Sequence, residues 1–172
     1  MTIRREPAIR VGQGFDVHPF SRGEDRPLIL GGVSFAGLPG LVGHSDGDVI
    51  AHAVTDALLG AAGLGDIGQR FPDTEPALAG ADSVGLLRHA VAALHDAGWF
   101  PQNVDCTVVL EEPTVAPQRA AIEARLGDAV GAPVTVKGKR AEGMGALGRA
   151  EGIACFAVAL VARVAPAGEG TT

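Results

Sequence analysis

A layer of helices on one β-sheet, an α/β or α+β arrangement, is the fold class this sequence predicts. Two observations predict it. Segments with helical apolar spacing alternate with short β-branched segments, in the order strand, helix, helix, strand, helix, strand, strand. The chain has 172 residues and carries no internal repeat, low-complexity tract or linker, so residues 1–172 are expected to form one domain with a sizeable core. Tyr is absent and aromatics are limited to six Phe and one Trp. The core must therefore be built from Ala, Val, Leu and Ile, with Gly allowing close packing.

Ala8 to His18 reads as a strand entering a loop. Leu28 to Phe35 reads as a strand broken by the Gly31-Gly32 pair. From Asp46 or Gly47 a helix is expected to run to about Gly63, because Val49, Ile50, Ala53, Val54, Ala57, Leu58 and Ala61 keep the helical period. Ser45 or Asp46 is the expected N-cap. Gly65 to Gly68 and Phe71 to Pro76 are rich in acids and turn formers and read as loop. Asp82-Ser83 caps a helix ending near Gly98, and His89 and His95 sit on its surface. Val104 to Leu110 is a strand, Pro117 opens a helix to about Leu126, and Val134 to Lys137 is a short strand. Ile153 to Val164 is uniformly apolar, and its β-branched residues and the preceding Gly152 favour a buried strand. Met1 to Pro7 and Ala165 to Thr172 are expected to be flexible termini.

The formal charge of −6 argues against a nucleic-acid binder, which would show a basic stripe. Cys106 and Cys155 lie in apolar runs without CxxC spacing and read as buried, reduced core residues of a cytoplasmic protein. No secretory leader and no stretch of membrane-spanning length and purity is visible, so no membrane partner is expected.

Asp16 and His18 stand at i, i+2 on the first strand and so share one face. His52, on the helix that follows, can meet that face. Two imidazoles and a carboxylate suit a tetrahedral Zn2+ with one position open for chemistry. Asp48 and Asp56 lie one turn either side of His52, so either is a candidate to accept the second ring N–H of His52. His44 and Ser45 precede the helix, as a capping turn or as donors to a phosphate. Asp66-Ile67-Gly68 and Asp73 read as plain loop acids, or as a site where Asp66 accepts from sugar hydroxyls while nearby backbone amides hold a phosphate, and residue chemistry alone does not favour the second. Lys137 to Gly145 is a basic, Gly-rich turn. It is a solvated loop or a diphosphate cradle, with Lys139 facing phosphate and Glu142 holding a hard cation. Arg149 and Glu151 could pair, or form a solvated face. No nucleoside-triphosphatase loop or dinucleotide fingerprint is present.

Taken together, GFDVH at 14–18, HSDGDVIAHAVTDALLGAAGLGDIG at 44–68, FPDT at 71–74 and GR-x-EGIA at 148–154 resemble the 2-C-methyl-D-erythritol 2,4-cyclodiphosphate synthase family of the non-mevalonate isoprenoid pathway. The resemblance covers about residues 9–164. It implies a ferredoxin-like layer of helices on a mixed sheet, and a homotrimer with each active site between neighbouring subunits. It implies closure of 4-diphosphocytidyl-2-C-methyl-D-erythritol 2-phosphate to the cyclic diphosphate, with release of CMP. By match, Asp16, His18 and His52 carry Zn2+, and Glu142 holds a second cation, Mg2+ or Mn2+. His44, Lys139 and Arg140 fall at catalytic phosphate positions. Ser45, Asp66 to Gly68 and Phe71 to Glu75 bind substrate, and Leu110 to Ala116 form the cytosine pocket. Arg149 falls at the trimer axis. The chain departs from the family pattern in three places. Lys139-Arg140-Ala141 lacks the usual Thr, the stretch after Pro113 lacks a basic residue, and Ala146 replaces an aromatic. The altered turn motivates one alternative, a paralogue with another nucleotide-linked substrate; a second, of a different class, is a non-catalytic trimeric binding protein for an isoprenoid or nucleotide phosphate.

Overall fold

In the first strand, β1 (Ile9–Pro19), apolar residues alternate with Gly, Asp and His. The alternation sends Gly12, Gly14, Asp16 and His18 to one face and Ile9, Val11, Phe15 and Val17 to the other. The computed structural model describes residues 9–23 and 26–163; the expected flexible termini lie outside the described residues. β1 pairs antiparallel along its whole length with β6 (Gly152–Ala162), from Ile9 opposite Ala162 to Pro19 opposite Gly152. β6 pairs antiparallel with β4 (Phe100–Val109), which pairs parallel with β5 (Val134–Lys139). The four-stranded mixed sheet therefore runs β1-β6-β4-β5. β2 (Pro27–Leu30) and β3 (Val33–Pro39) form a separate hairpin. Its turn is the Gly31-Gly32 pair, whose φ values of 58° and 73° explain why the expected broken strand is two strands.

Helices α1 (Val49–Ala62), α3 (Ser83–Asp96) and α4 (Arg119–Val130) form the helical layer, and α1 lies across β1 and β6. The approach is close enough to require glycine. A Cβ on Gly12 would lie 2.0 Å from the Ala57 carbonyl oxygen, and one on Gly14 would lie 2.0 Å from that of Ala53. The core between the layers holds Ile50, Leu58, Leu87, Leu94, Ile122 and Ile153, and both cysteines are buried and free. Short helices α2 (Ile67–Arg70) and α5 (Gly145–Gly148) occupy stretches whose composition reads as loop. α4 begins after a 3-10 turn at Ala116–Gln118 and outlasts the expected end at Leu126, because Ala129 and Val130 continue its buried face until Gly131 adopts φ 72°. No helix among the described residues is long and apolar enough to cross a membrane.

The N-cap of α1 is Asp48 rather than Ser45 or Asp46. Its fully buried carboxylate accepts from the backbone N–H groups of Ile50 and Ala51 at 3.1 Å. It also accepts from Gly31 at 2.8 Å and Gly32 at 2.6 Å, so one side chain joins helix start and hairpin turn. Asp48→Ala strands four donors in the core. It should lower stability by about 4 kcal/mol, or about 10 °C in Tm for a chain of this size. Asp48→Asn, which keeps one oxygen, should lose less. Thermal unfolding followed by circular dichroism checks both.

Candidate functional site

Glycines at positions 12 and 14 let α1 rest on β1, and the next two residues on that face, Asp16 and His18, then meet the first turn of the helix. There they find His52. Asp16 Oδ2 is 2.9 Å from His18 Nε2 and 2.9 Å from His52 Nδ1, and the two ring nitrogens are 3.2 Å apart. Tetrahedral zinc with bonds of about 2.0–2.1 Å spaces its donors about 3.3 Å apart, so the three atoms need only small shifts to hold such an ion. Side-chain exposures of 25% for Asp16, 19% for His18 and 11% for His52 leave the cluster reachable from one side. The donor set therefore fits a divalent metal with a free position.

The second ring nitrogen of His52 faces neither Asp48 nor Asp56. Asp48 is committed to its cap, and Asp56 accepts from the backbone N–H of Ile67 at 2.7 Å. Asp56 thereby ties α2 to α1. His52 Nε2 instead lies 3.0 Å from Ser45 Oγ and 2.9 Å from Ser83 Oγ. Sequence reasoning missed Ser83 as a site residue, because Asp-Ser before an apolar run has a complete explanation as a helix start.

Arg26 holds the loop that carries His44 and Ser45. Its guanidinium donates to the Gly43 carbonyl at 3.0 Å and to that of Ser45. Exposed His44 places Nε2 3.0 Å from the Glu75 carbonyl, and its own carbonyl accepts from Gly80 N–H at 2.7 Å. Nothing in the residue pattern marks Arg26, since its contacts are to backbone carbonyls 17 and 19 positions away. A cavity of about 480 Å3 opens over this region. Asp16, His18, His44, Ser45 and His52 line one part of it, and Ile67, Gly68, Phe71 and Asp73 another. Asp66 caps α2, accepting from Gln69 N–H at 2.7 Å.

Lys139 and Arg140 are not in that cavity. They line a second one of about 140 Å3 with Leu110, Glu111, Pro113 to Ala116 and Arg119, and the two cavities share no residue. Glu142 and Arg149 line neither. Glu142 is exposed and left-handed at φ 54°, in a turn held by a hydrogen bond from Gly143 N–H to the Glu111 carboxylate at 3.2 Å. Arg149 pairs with Glu151 at 2.7 Å.

Burial opposes charge on Asp16, yet its close contacts with the His18 and His52 rings outweigh it and hold the carboxyl well below the usual carboxylate range. Burial likewise opposes charge on His18, but its hydrogen bond and attraction to Asp16 win and raise it above 6.5. A ligating histidine must be neutral, so protons compete with metal at His18 before they reach Asp16. Metal affinity should accordingly fall by at least about tenfold per pH unit once pH drops below the raised His18 value, since each protonated imidazole must lose its proton to bind. Asp16 should contribute no fall until far more acidic pH. Chelator competition from about pH 8.5 to about pH 5.5 measures the slope.

Residues 9–162 match the model of the YgbB family. The chain belongs to the YgbB family. It is 57% identical over 157 residues to the 2-C-methyl-D-erythritol 2,4-cyclodiphosphate synthase of Bordetella petrii, covering 90% of this chain and 96% of that one. It is 55% identical over 158 residues to the enzyme of that name from Chromobacterium violaceum, covering 90% and 98%. The solved CDP complex of IspF from Plasmodium falciparum superposes with a TM-score of 0.80 at 32% identity, covering 94% of this chain and all of that one. The matched span, residues 9–162, contains Asp16, His18 and His52 and the residues that line both cavities.

Proposed function

We infer that this chain is a phosphorus-oxygen lyase. It converts 4-diphosphocytidyl-2-C-methyl-D-erythritol 2-phosphate to 2-C-methyl-D-erythritol 2,4-cyclodiphosphate and releases CMP. The observation that carries the reading is the convergence of Asp16, His18 and His52 in the wall of a cavity that His44, Ser45, Ile67 and Gly68 also line. The relatives that bear the synthase name match at 57% and 55% identity.

The reaction joins an oxygen of the 2-phosphate to the β-phosphorus. The bond from that phosphorus to the oxygen bridging to the α-phosphate breaks, and CMP departs with the electron pair. Both reacting groups are anionic, so positioning and charge compensation are the main tasks. A Zn2+ held by Asp16, His18 and His52 would supply positive charge to phosphate oxygens. His44 and Ser45 bind phosphate beside it. Asp66, the backbone of Ile67 and Gly68, Phe71 and Asp73 hold the methylerythritol portion. Lys139 and Arg140 face the diphosphate and compensate its charge as the leaving group departs. Glu142 would hold a second cation, Mg2+ or Mn2+. The segment 110–116 receives the cytosine, a role in keeping with the CDP bound by the Plasmodium protein.

The two cavities are separate within one chain, and a homotrimer would unite them between copies. The surface that supports this is the open sheet face, where Ile9, Val11, Phe15, Val17, Phe156 and Val158 are between 43% and 65% exposed. Arg149 is assigned to the trimer axis.

The test is incubation of zinc-loaded protein with Mg2+ and the diphosphocytidyl substrate, followed by phosphorus NMR. CMP and cyclic diphosphate appearing in equal amounts are expected. A folded, metal-replete protein that yields neither would refute the assignment and favour a paralogue with another nucleotide-linked substrate.

A further inference from the structure

Next to His52 stand two groups, Ser83 and Asp46, that do not line the cavity and that the reaction above does not use. Ser83, the first residue of α3, is completely buried. Its Oγ lies 2.9 Å from His52 Nε2 and 3.0 Å from Ser45 Oγ, and it donates to Asp46 Oδ1. Asp46 is fixed in turn: Oδ1 accepts from Asp48 N–H at 3.1 Å and Oδ2 from Ser83 N–H at 3.2 Å. Its own N–H donates to the Ala81 carbonyl at 3.0 Å.

Proton bookkeeping gives this chain a direction. An ionised carboxylate only accepts, so the Ser83 hydroxyl proton must point at Asp46. The lone pairs of Ser83 Oγ are then free to accept, so its 2.9 Å contact with His52 Nε2 is a hydrogen bond when Nε2 carries the proton and donates. Ser45 Oγ, which accepts from Gly47 N–H at 3.2 Å, can give its own proton to Ser83. With the proton on Nε2, Nδ1 carries the lone pair, and Nδ1 is the nitrogen beside Asp16 and His18. Asp16 pulls the opposite way, since it would accept a proton carried on Nδ1.

We propose that Ser83 and Asp46 are positioning residues for His52, holding its proton on Nε2 so that Nδ1 is presented bare to a divalent cation. The proposal rests on the metal reading of Asp16, His18 and His52. It concerns only which groups orient one ligand, and such outer partners are typically worth about 10–100-fold in metal affinity.

The test uses the full-length zinc-loaded protein with 15N-labelled histidine, as wild type, Ser83→Ala and Asp46→Asn. Two quantities are read: zinc affinity by chelator competition, and exchange of the His52 Nε2–H with water. The wild type should show a slowly exchanging Nε2–H. Both variants should bind zinc about 10–100-fold more weakly and exchange that proton faster. Asp46→Asn nearly preserves shape, so it covers the case in which Ser83→Ala disturbs the start of α3. Asp46→Asn with wild-type affinity and wild-type protection would overturn the proposal. So would zinc-loaded wild type whose Nε2–H exchanges like that of an exposed imidazole. Wild-type protein that takes up no zinc would overturn the metal reading and the relay with it. Zinc bound with an unprotected Nε2–H would overturn the relay alone.

Discussion

His52→Ala should remove the bound metal and turnover together while leaving the fold standing. His52 supplies one of three donors, and the remaining Asp16 and His18 cannot close a tetrahedral set. A metal placed on a reacting phosphate contributes several kcal/mol of charge stabilisation. At 1.36 kcal/mol per factor of ten, its loss should slow CMP release by about 10^3-fold or more. The fold should survive because the imidazole lies at the edge of the core. Ser45, Ser83 and Asp46 also keep their hydrogen bonds to one another. Metal analysis, CMP release and a thermal melt on the same preparation decide the matter. A metal-free variant with wild-type turnover would sink the assignment of the cluster, and a variant that unfolds would show that His52 is structural.

The three residues of the cluster were legible in sequence because their chemistry is rare and their spacing is local on each element. Their surroundings were not. In β1 the alternation separates two faces without showing which of them meets the helices. Gly12, Gly14, Asp16 and His18 turn toward α1, while Ile9, Val11, Phe15 and Val17 lie exposed. The reason is steric: α1 sits so near the strand that no side chain fits at Gly12 or Gly14, so the core-facing side holds glycine and the site. The cap residue was misassigned for a similar reason. Asp48 is preferred because it satisfies two hairpin donors as well as two helical ones, and Gly31 lies 17 residues away. The partner of His52 was sought one helical turn away, where Asp48 and Asp56 stand, yet Ser83 comes from 31 residues later. Strand and helix periods show which residues share an element's face. They do not show which distant element arrives at it.

Phe156→Asp should convert the proposed homotrimer to a monomer and abolish most of its turnover without removing its metal. Phe156 lies opposite Phe15 in the β1–β6 ladder, with ring centroids 4.8 Å apart, and both rings lie on the open face of the sheet. Toward β4 and β5 that face becomes polar, where Asp105 pairs with Thr135 and Lys137, so the apolar patch is confined to β1 and β6. A carboxylate there costs little in the monomer, where water reaches it, and several kcal/mol when buried between copies. Light scattering after size exclusion reads the mass, and metal analysis and CMP release read the rest. The Asp16–His18–His52 donors lie on the helix side of the sheet, so metal uptake should be unaffected. Turnover should fall about 100-fold or more, because the metal-bearing cavity of one copy would no longer meet the 110–116 cavity of another. A wild-type monomer with full activity would show that one chain completes the site by itself. A Phe156→Asp trimer would move the interface to another surface.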